Sequence, residues 1–241
     1  MPDEVKVPYI KKLETVEDFD VWEVDGECIR NKVNREFTNF GQHYSFDFIP
    51  TKEFWIDKQH GADETDYFIN HMIVEWNMMR NGSKYDDALA TADILEKRER
   101  SKSDLIKKLE KKVSSISAQV PKEVYKEKLD KFKVVEVWVV SGEAVRGLYF
   151  IDFTEGGHHF VYDFIPLNEV WIDDDLSPKE RDFVILHELH ERYLMSTGMD
   201  YNHAHRSSSI IEYKCRTNEE LLKEAINAEV EKNKQISDST V

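Results

Sequence analysis

The chain has 241 residues, 40% of them hydrophobic and 34% charged, with a formal net charge of -15. That length can bury a substantial core, and the acidic balance argues against nucleic acid or an anionic membrane as the main partner. Two cysteines cannot form a disulfide framework, no apolar run reaches membrane-spanning length, and the first residues lack a signal-peptide core, so a cytoplasmic protein is expected.

The chain is written twice. Trp22 and Trp138, Asp47 and Asp163, Trp55 and Trp171, His71 and His187, and Gly82 and Gly198 share a constant offset of 116 positions. The register holds without a gap from Tyr9/Tyr125 to Glu96/Glu212, and about one position in three is identical. A tandem duplication follows: a first repeat over 1–98, a charged helical linker over 99–122, and a second repeat over 123–241. Each repeat is expected to be α+β, a small antiparallel sheet followed by two helices. The two are expected to pack about a pseudo-twofold axis.

In chain order, each repeat opens with a lead-in (9–19, 125–135). Strand-like runs rich in β-branched and aromatic residues follow, "VVEVWVV" and "HHFVYDFI" in the second copy, with Ser141-Gly142 and Gly156-Gly157 as turns. "NEVWID" is a further short strand, and Trp55 and Trp171 read as core anchors. Ser177-Pro178-Lys179-Glu180 is a capping box with proline at the first helical position, so a helix is predicted from there to about Thr197, stopping at Gly198. Asp200 caps a second helix through Tyr213. Thr217 to Glu220 offers another capping box for a C-terminal helix.

On a 100° wheel, His187 and Glu191 fall inside the apolar arc of the first helix, one turn apart. The second helix sets His205 and Glu212 in the arc of Tyr201, Ala204, Ser208 and Ile211. Imidazoles and carboxylates converging from two adjacent helices suit a divalent transition metal, zinc first among Zn, Mn, Fe and Ni. Three of His187, Glu191, His205 and Glu212 would ligate, with Glu212 as a fourth ligand or an outer partner. Glu188, directly after the first ligand position, stands where a metal hydrolase keeps its general base. The competing reading pairs these groups structurally, His with Glu, in a dry core.

The first repeat keeps His71, Glu75 and Glu96 but has Met72 opposite Glu188 and Leu89 opposite His205. A structural role for the retained groups, with chemistry added in the second repeat alone, accounts for that difference. His190 reads as a core or outer-shell histidine, His203 as solvent-facing and His159 as a strand-edge histidine. Asp173, Asp174 and Asp175 lack EF-hand spacing and read as favouring the dipole of the helix that follows.

"HELHERYLM", "GMDYNHAH" and the later Glu212, after Trp171-Ile172-Asp173, resemble an uncharacterised group of phage and prokaryotic proteins with an H-E-L-x-E-x-x-L-M and G-M-x-Y-x-x-A-H pattern. The resemblance implies that His187, Glu188, Glu191, His205 and Glu212 matter, and places the protein in a host cytoplasm or a virion. A fainter likeness to H-E-x-x-H zinc hydrolases implies a peptidase-like activity, with Glu191 departing from that pattern. The leading expectation is thus a metal-dependent hydrolase with its site in the second repeat. The alternative is a non-catalytic duplicated interaction protein, a virion component or host-factor inhibitor, with a protein or peptide partner.

Overall fold

The structure, a computed structural model, describes residues 8–113, 120–129, 132 and 135–237. Two compact units divide it: Met1–Glu110 with Arg146–Asp152, and Lys111–Val145 with Phe153–Val241.

The first unit contains strands β1 (Tyr9–Val16), β2 (Phe19–Val24), β3 (Phe40–Gln42) and β4 (Glu53–Asp57), in the order β1-β2-β4-β3. The short helix α1 (Gly26–Lys32) follows β2, and α2 (Thr65–Arg80), α3 (Tyr85–Arg100) and α4 (Asp104–Val113) follow β4. The second unit repeats the order with β5 (Tyr125–Lys128), β6 (Glu136–Val140), α5 (Gly142–Leu148, whose last turn groups with the first unit), β7 (Gly156–His158) and β8 (Glu169–Asp173). Helices α6 (Pro178–Ser196), α7 (Tyr201–Thr217) and α8 (Leu222–Ser237) complete it. Strand order β5-β6-β8-β7 matches the first sheet. The fold is α+β and duplicated, as expected.

The sheets are mixed, which corrects the expected antiparallel pairing. β2 and β4 run parallel with Trp22 beside Trp55, and β6 and β8 run parallel with Trp138 beside Trp171. The chain between them is long enough for a crossover, because it carries a helix and the third strand before returning. The lead-in is itself strand, antiparallel to its neighbour in both copies.

"HHFVYDFI" is largely not strand: β7 ends at His158, and turns follow. The cause lies in Gly157. A side-chain carbon there would stand 2.5 Å from the Tyr162 ring, and one at Gly41 would stand 2.6 Å from Phe46. The chain curls back to lay an aromatic ring on a bare glycine, and this outweighs the strand propensity of the segment. Gly142 likewise opens helix α5 instead of a turn. Its missing Cβ leaves room for the Asp173 carboxylate, which a side chain would meet at 2.2 Å, as Gly26 does for Asp57.

Each sheet buries one face under helices. In the first unit Val21, Phe54 and Ile56 pack on Phe68, Met72 and Trp76 of α2; in the second Val137, Val170 and Ile172 pack on Phe183, Leu186 and Leu189 of α6, with Ile226 of α8. Each such side chain contributes about 1.5–3 kcal/mol by leaving water. On the other face of the first sheet Trp55 packs with Val24, Ile29, Phe37 and Ile49, and Trp171 is fully buried, so both tryptophans are core anchors.

The Ser177 cap forms: its hydroxyl accepts from Glu180 N at 3.3 Å, with Pro178 at the first turn. Asp200 caps α7 through His203 N, and Gly198 takes the positive φ of 94° that ends α6. Helix α7 runs four residues beyond the expected Tyr213. The box at Thr217 does not form, because Thr217 closes α7 and Asn218 precedes a 3-10 turn into α8. Part of the linker is helical as expected, over α4, and 114–119 lie outside the described residues. Among the described residues no helix is long and apolar enough to cross a membrane.

Candidate metal centre

Helix α6 carries His187, Glu188 and Glu191 inward, all three buried, because the 3.6-residue repeat sets them over the same arc as Phe183 and Val184. Helix α7 returns beside it and offers His205 and Glu212. Three atoms converge. Glu191 Oε2 lies 2.9 Å from His205 Nδ1, His205 Nδ1 lies 3.1 Å from His187 Nε2, and His187 Nε2 lies 3.5 Å from Glu191 Oε2. Bonds of about 2.0–2.1 Å at tetrahedral angles put ligand atoms about 3.3 Å apart, so this triangle has the dimensions of one face of a zinc site. These three residues form a group able to hold a metal ion.

Glu212 is placed differently. Its Oε2 accepts from His187 Nδ1 at 2.8 Å, and its Oε1 accepts from Arg216 Nε at 2.7 Å. Arg216 in turn makes a two-pronged bond to Glu180, both contacts at 2.9 Å. The carboxylate thus fixes the His187 ring with Nε2 toward the triangle, the arrangement by which outer carboxylates orient histidine ligands. Glu180 stands at the third helical position of the predicted capping box, and the buried end of its side chain serves Arg216.

The electrostatics follow burial and partners. Burial alone would push His187 down, but hydrogen bonds with Glu191 and Glu212 hold it well above the usual histidine range. Burial would raise Glu191, and contacts with His158, His187 and His205 overcome it and lower it. Glu188 is pushed up to about 8 by burial and by the Glu191 charge beside it. His205 is the open edge: its side chain is 38% exposed against 3% for Glu191. Tyr201, expected on the inward face, is exposed with its ring stacked on His205 at 5.3 Å.

Sequence reasoning passed over His158. It is fully buried, and its Nε2 lies 3.3 Å from Glu191 Oε1. His159 stands opposite His43 of the first repeat, a histidine in both copies, whereas His158 stands opposite Gln42. His158 is the last residue of β7 and reaches Glu191 of α6, whereas His159 stands in the turn that follows. The available signal was a polar residue in both copies between a glycine and an aromatic. Elsewhere, His190 Nε2 meets Ser207 Oγ at 3.0 Å, and its Nδ1 lies 2.9 Å from Glu229, joining three helices. His203 is exposed on Asp200. The Asp173–Asp175 oxygens also come within reach of one another. Asp174 accepts from Gly142 N at 3.0 Å, so it caps α5, while Asp173 accepts from Asp175 N at 3.1 Å.

The first repeat supplies a comparison within the same molecule. His71 Nδ1 bonds Glu96 Oε2 at 2.8 Å, Arg100 Nε bonds Glu96 Oε1 at 2.7 Å, and Arg100 bonds Glu64. The outer chain of His, Glu, Arg and Glu is therefore complete in both copies, while Leu89, Met72 and Gln42 replace His205, Glu188 and His158. Where the second copy has Ser209 the first has Asp93, which burial and the Asp152 charge push up to about 7. An acid raised in the fold costs stability as pH climbs from about 4 through 7, and the cost is complete above 7. The full shift would correspond to roughly 4 kcal/mol, which solvent screening of this half-buried group reduces, so Asp93→Asn should stabilise the first unit by about 1–2 kcal/mol at pH 8 and hardly at all at pH 4. Denaturant titrations at the two pH values read this directly, and an equal gain at both would refute it.

No family model, curated protein sequence or solved structure matches this chain.

Proposed function

We propose that the second repeat is a metal-dependent hydrolase, peptidase-like in its layout, that holds one zinc or similar divalent ion on His187 Nε2, His205 Nδ1 and Glu191 Oε2. The observation that carries this reading is the triangle of those three atoms, with edges of 2.9, 3.1 and 3.5 Å. A bound divalent metal supplies Lewis acidity and acidifies water. The chain supplies the rest. Glu212 holds the His187 ring in the ligating tautomer, and the three-ligand set leaves a position open beside the exposed edge of His205. A Glu188 oxygen lies within 4.8 Å of Glu191 and His158 ligand atoms, and in this reading its carboxylate, in the ionised form, takes the proton of an attacking water. Glu191 takes the place of the second histidine of H-E-x-x-H, one helical turn from His187, which keeps the spacing and changes the donor.

Elemental analysis of tag-free protein tests the centre: about one transition metal per chain is expected, lost in His187→Ala/His205→Ala. No metal in the wild type, and no thermal stabilisation by added Zn, Mn, Fe or Ni, would overturn it. Hydrolysis is tested on 4-nitrophenyl acetate and labelled casein. Glu188→Gln should keep the metal and lose at least about a hundredfold in rate. The interaction-protein reading draws on the first repeat, where the His71–Glu96–Arg100–Glu64 chain persists without the other groups; it would be left standing by an absence of metal.

A further inference from the structure

We infer that His158 is a positioning residue of this centre: a buried N–H group 3.3 Å from Glu191 Oε1, which keeps that carboxylate on the metal through Oε2 alone. The inference rests on the metal reading above and assigns a residue which that reading leaves without a role.

The two repeats fix the orientation of the ring. In the second, Phe160 N donates to His158 Nδ1 at 3.3 Å. A nitrogen that accepts from a backbone N–H carries no proton, so in the neutral ring the proton sits on Nε2. In the first, Tyr44 N donates to Gln42 Oε1 at 2.7 Å, the same backbone group on the same side of the same strand position. Both residues therefore spend their acceptor on the chain two residues ahead, which leaves the Gln42 amide and the His158 Nε2–H as donors. Gln42 Nε2 donates to Ser45 Oγ at 3.2 Å, and Ser45 Oγ donates to Glu75 Oε1 at 3.0 Å. Glu75 is the counterpart of Glu191. In the second repeat Val161 stands where Ser45 stands, so no hydroxyl can relay, and His158 approaches Glu191 directly.

His158 Nε2 is buried, has no aligned hydrogen-bond acceptor, and finds its ion-pair contact in Glu191 Oε1 at 3.3 Å. The other oxygen of Glu191 faces His187 and His205. A donor on Oε1 and a metal on Oε2 divide the carboxylate between them. Without the donor Glu191 is free to bind through both oxygens and to fill the position that water needs. The same tautomer argues against His158 as a ligand to a second ion with Glu188 and Glu191, although the three lie close together. Such a role would require Nε2 to give up its proton and Nδ1 to stop accepting from Phe160.

The test compares wild type, His158→Leu and His158→Gln/Val161→Ser, the last transplanting the relay of the first repeat, each loaded with Co(II). Wild type should bind one ion with an intense four-coordinate visible spectrum. His158→Leu should bind 10–100-fold more weakly, with the weaker absorption of a higher coordination number. The double variant should recover both affinity and spectrum, which a ligand role would not allow, since an amide N–H does not replace an imidazole. Equal affinity and spectrum in His158→Leu would overturn the donor role while leaving the centre intact. So would two ions in wild type and one in both variants, which would make His158 a ligand. No cobalt uptake by wild type would instead remove the metal reading, and the inference with it.

Discussion

Replacing Arg216 with methionine should cost the second unit about 3–5 kcal/mol, the largest single-residue effect expected in the molecule. The guanidinium side chain is 1% exposed and holds two carboxylates, Glu180 through both oxygens and Glu212 through one, while lying 4.5 Å over the Phe183 ring. Removing it takes a two-pronged bond from Glu180, which is fully buried, and loosens the group that orients His187. Guanidinium unfolding of the isolated variant reads the loss. The companion Arg216→Met/Glu180→Met should recover part of it, because part of the expense is the buried Glu180 charge that the guanidinium no longer meets. A single-variant loss below about 1 kcal/mol would show that Arg216 is not what holds the Glu180 charge in the core.

The second large effect is a gain. Leu89→His in the first repeat should raise metal content from about one to about two ions per chain. Leu89 occupies the position of His205 and is partly buried, and His71 is already oriented by Glu96 with Glu75 one turn further along α2. Only the third donor is missing. Elemental analysis beside the unaltered chain decides the matter, and an unchanged stoichiometry would mean that the Ser45 contact to Glu75 closes the site. The new centre should bind without catalysing, since Met72 stands where Glu188 does, and this separates holding a metal from using it.

Much of this was legible in the residues because it is local or repeated. The offset of 116 exposed the duplication, the Ser177 box located the start of α6, and helical spacing aimed His187, Glu191, His205 and Glu212 at one another. Pairing direction was not legible. Alternating apolar residues say that a strand has two faces and do not say which way its neighbour runs. The aromatic run after His158 misled because intrinsic strand propensity is weaker than the packing of Tyr162 on Gly157. Nothing in local spacing ties Arg216 to Glu180, 36 positions away on another helix. His158 escaped for the same reason: its partner lies 33 positions away, at Glu191.

The three proposed ligands are unequally anchored, and this separates tightness from speed. His187 and Glu191 are buried and backed by Glu212 at 2.8 Å and His158 at 3.3 Å. His205 lies near the start of α7 at the water's edge, with the exposed Tyr201 ring as its cover. Ion exchange would therefore proceed by release of one imidazole while two donors wait in register. Affinity would be set by the rigid pair, and residence time by how often a single surface histidine turns away.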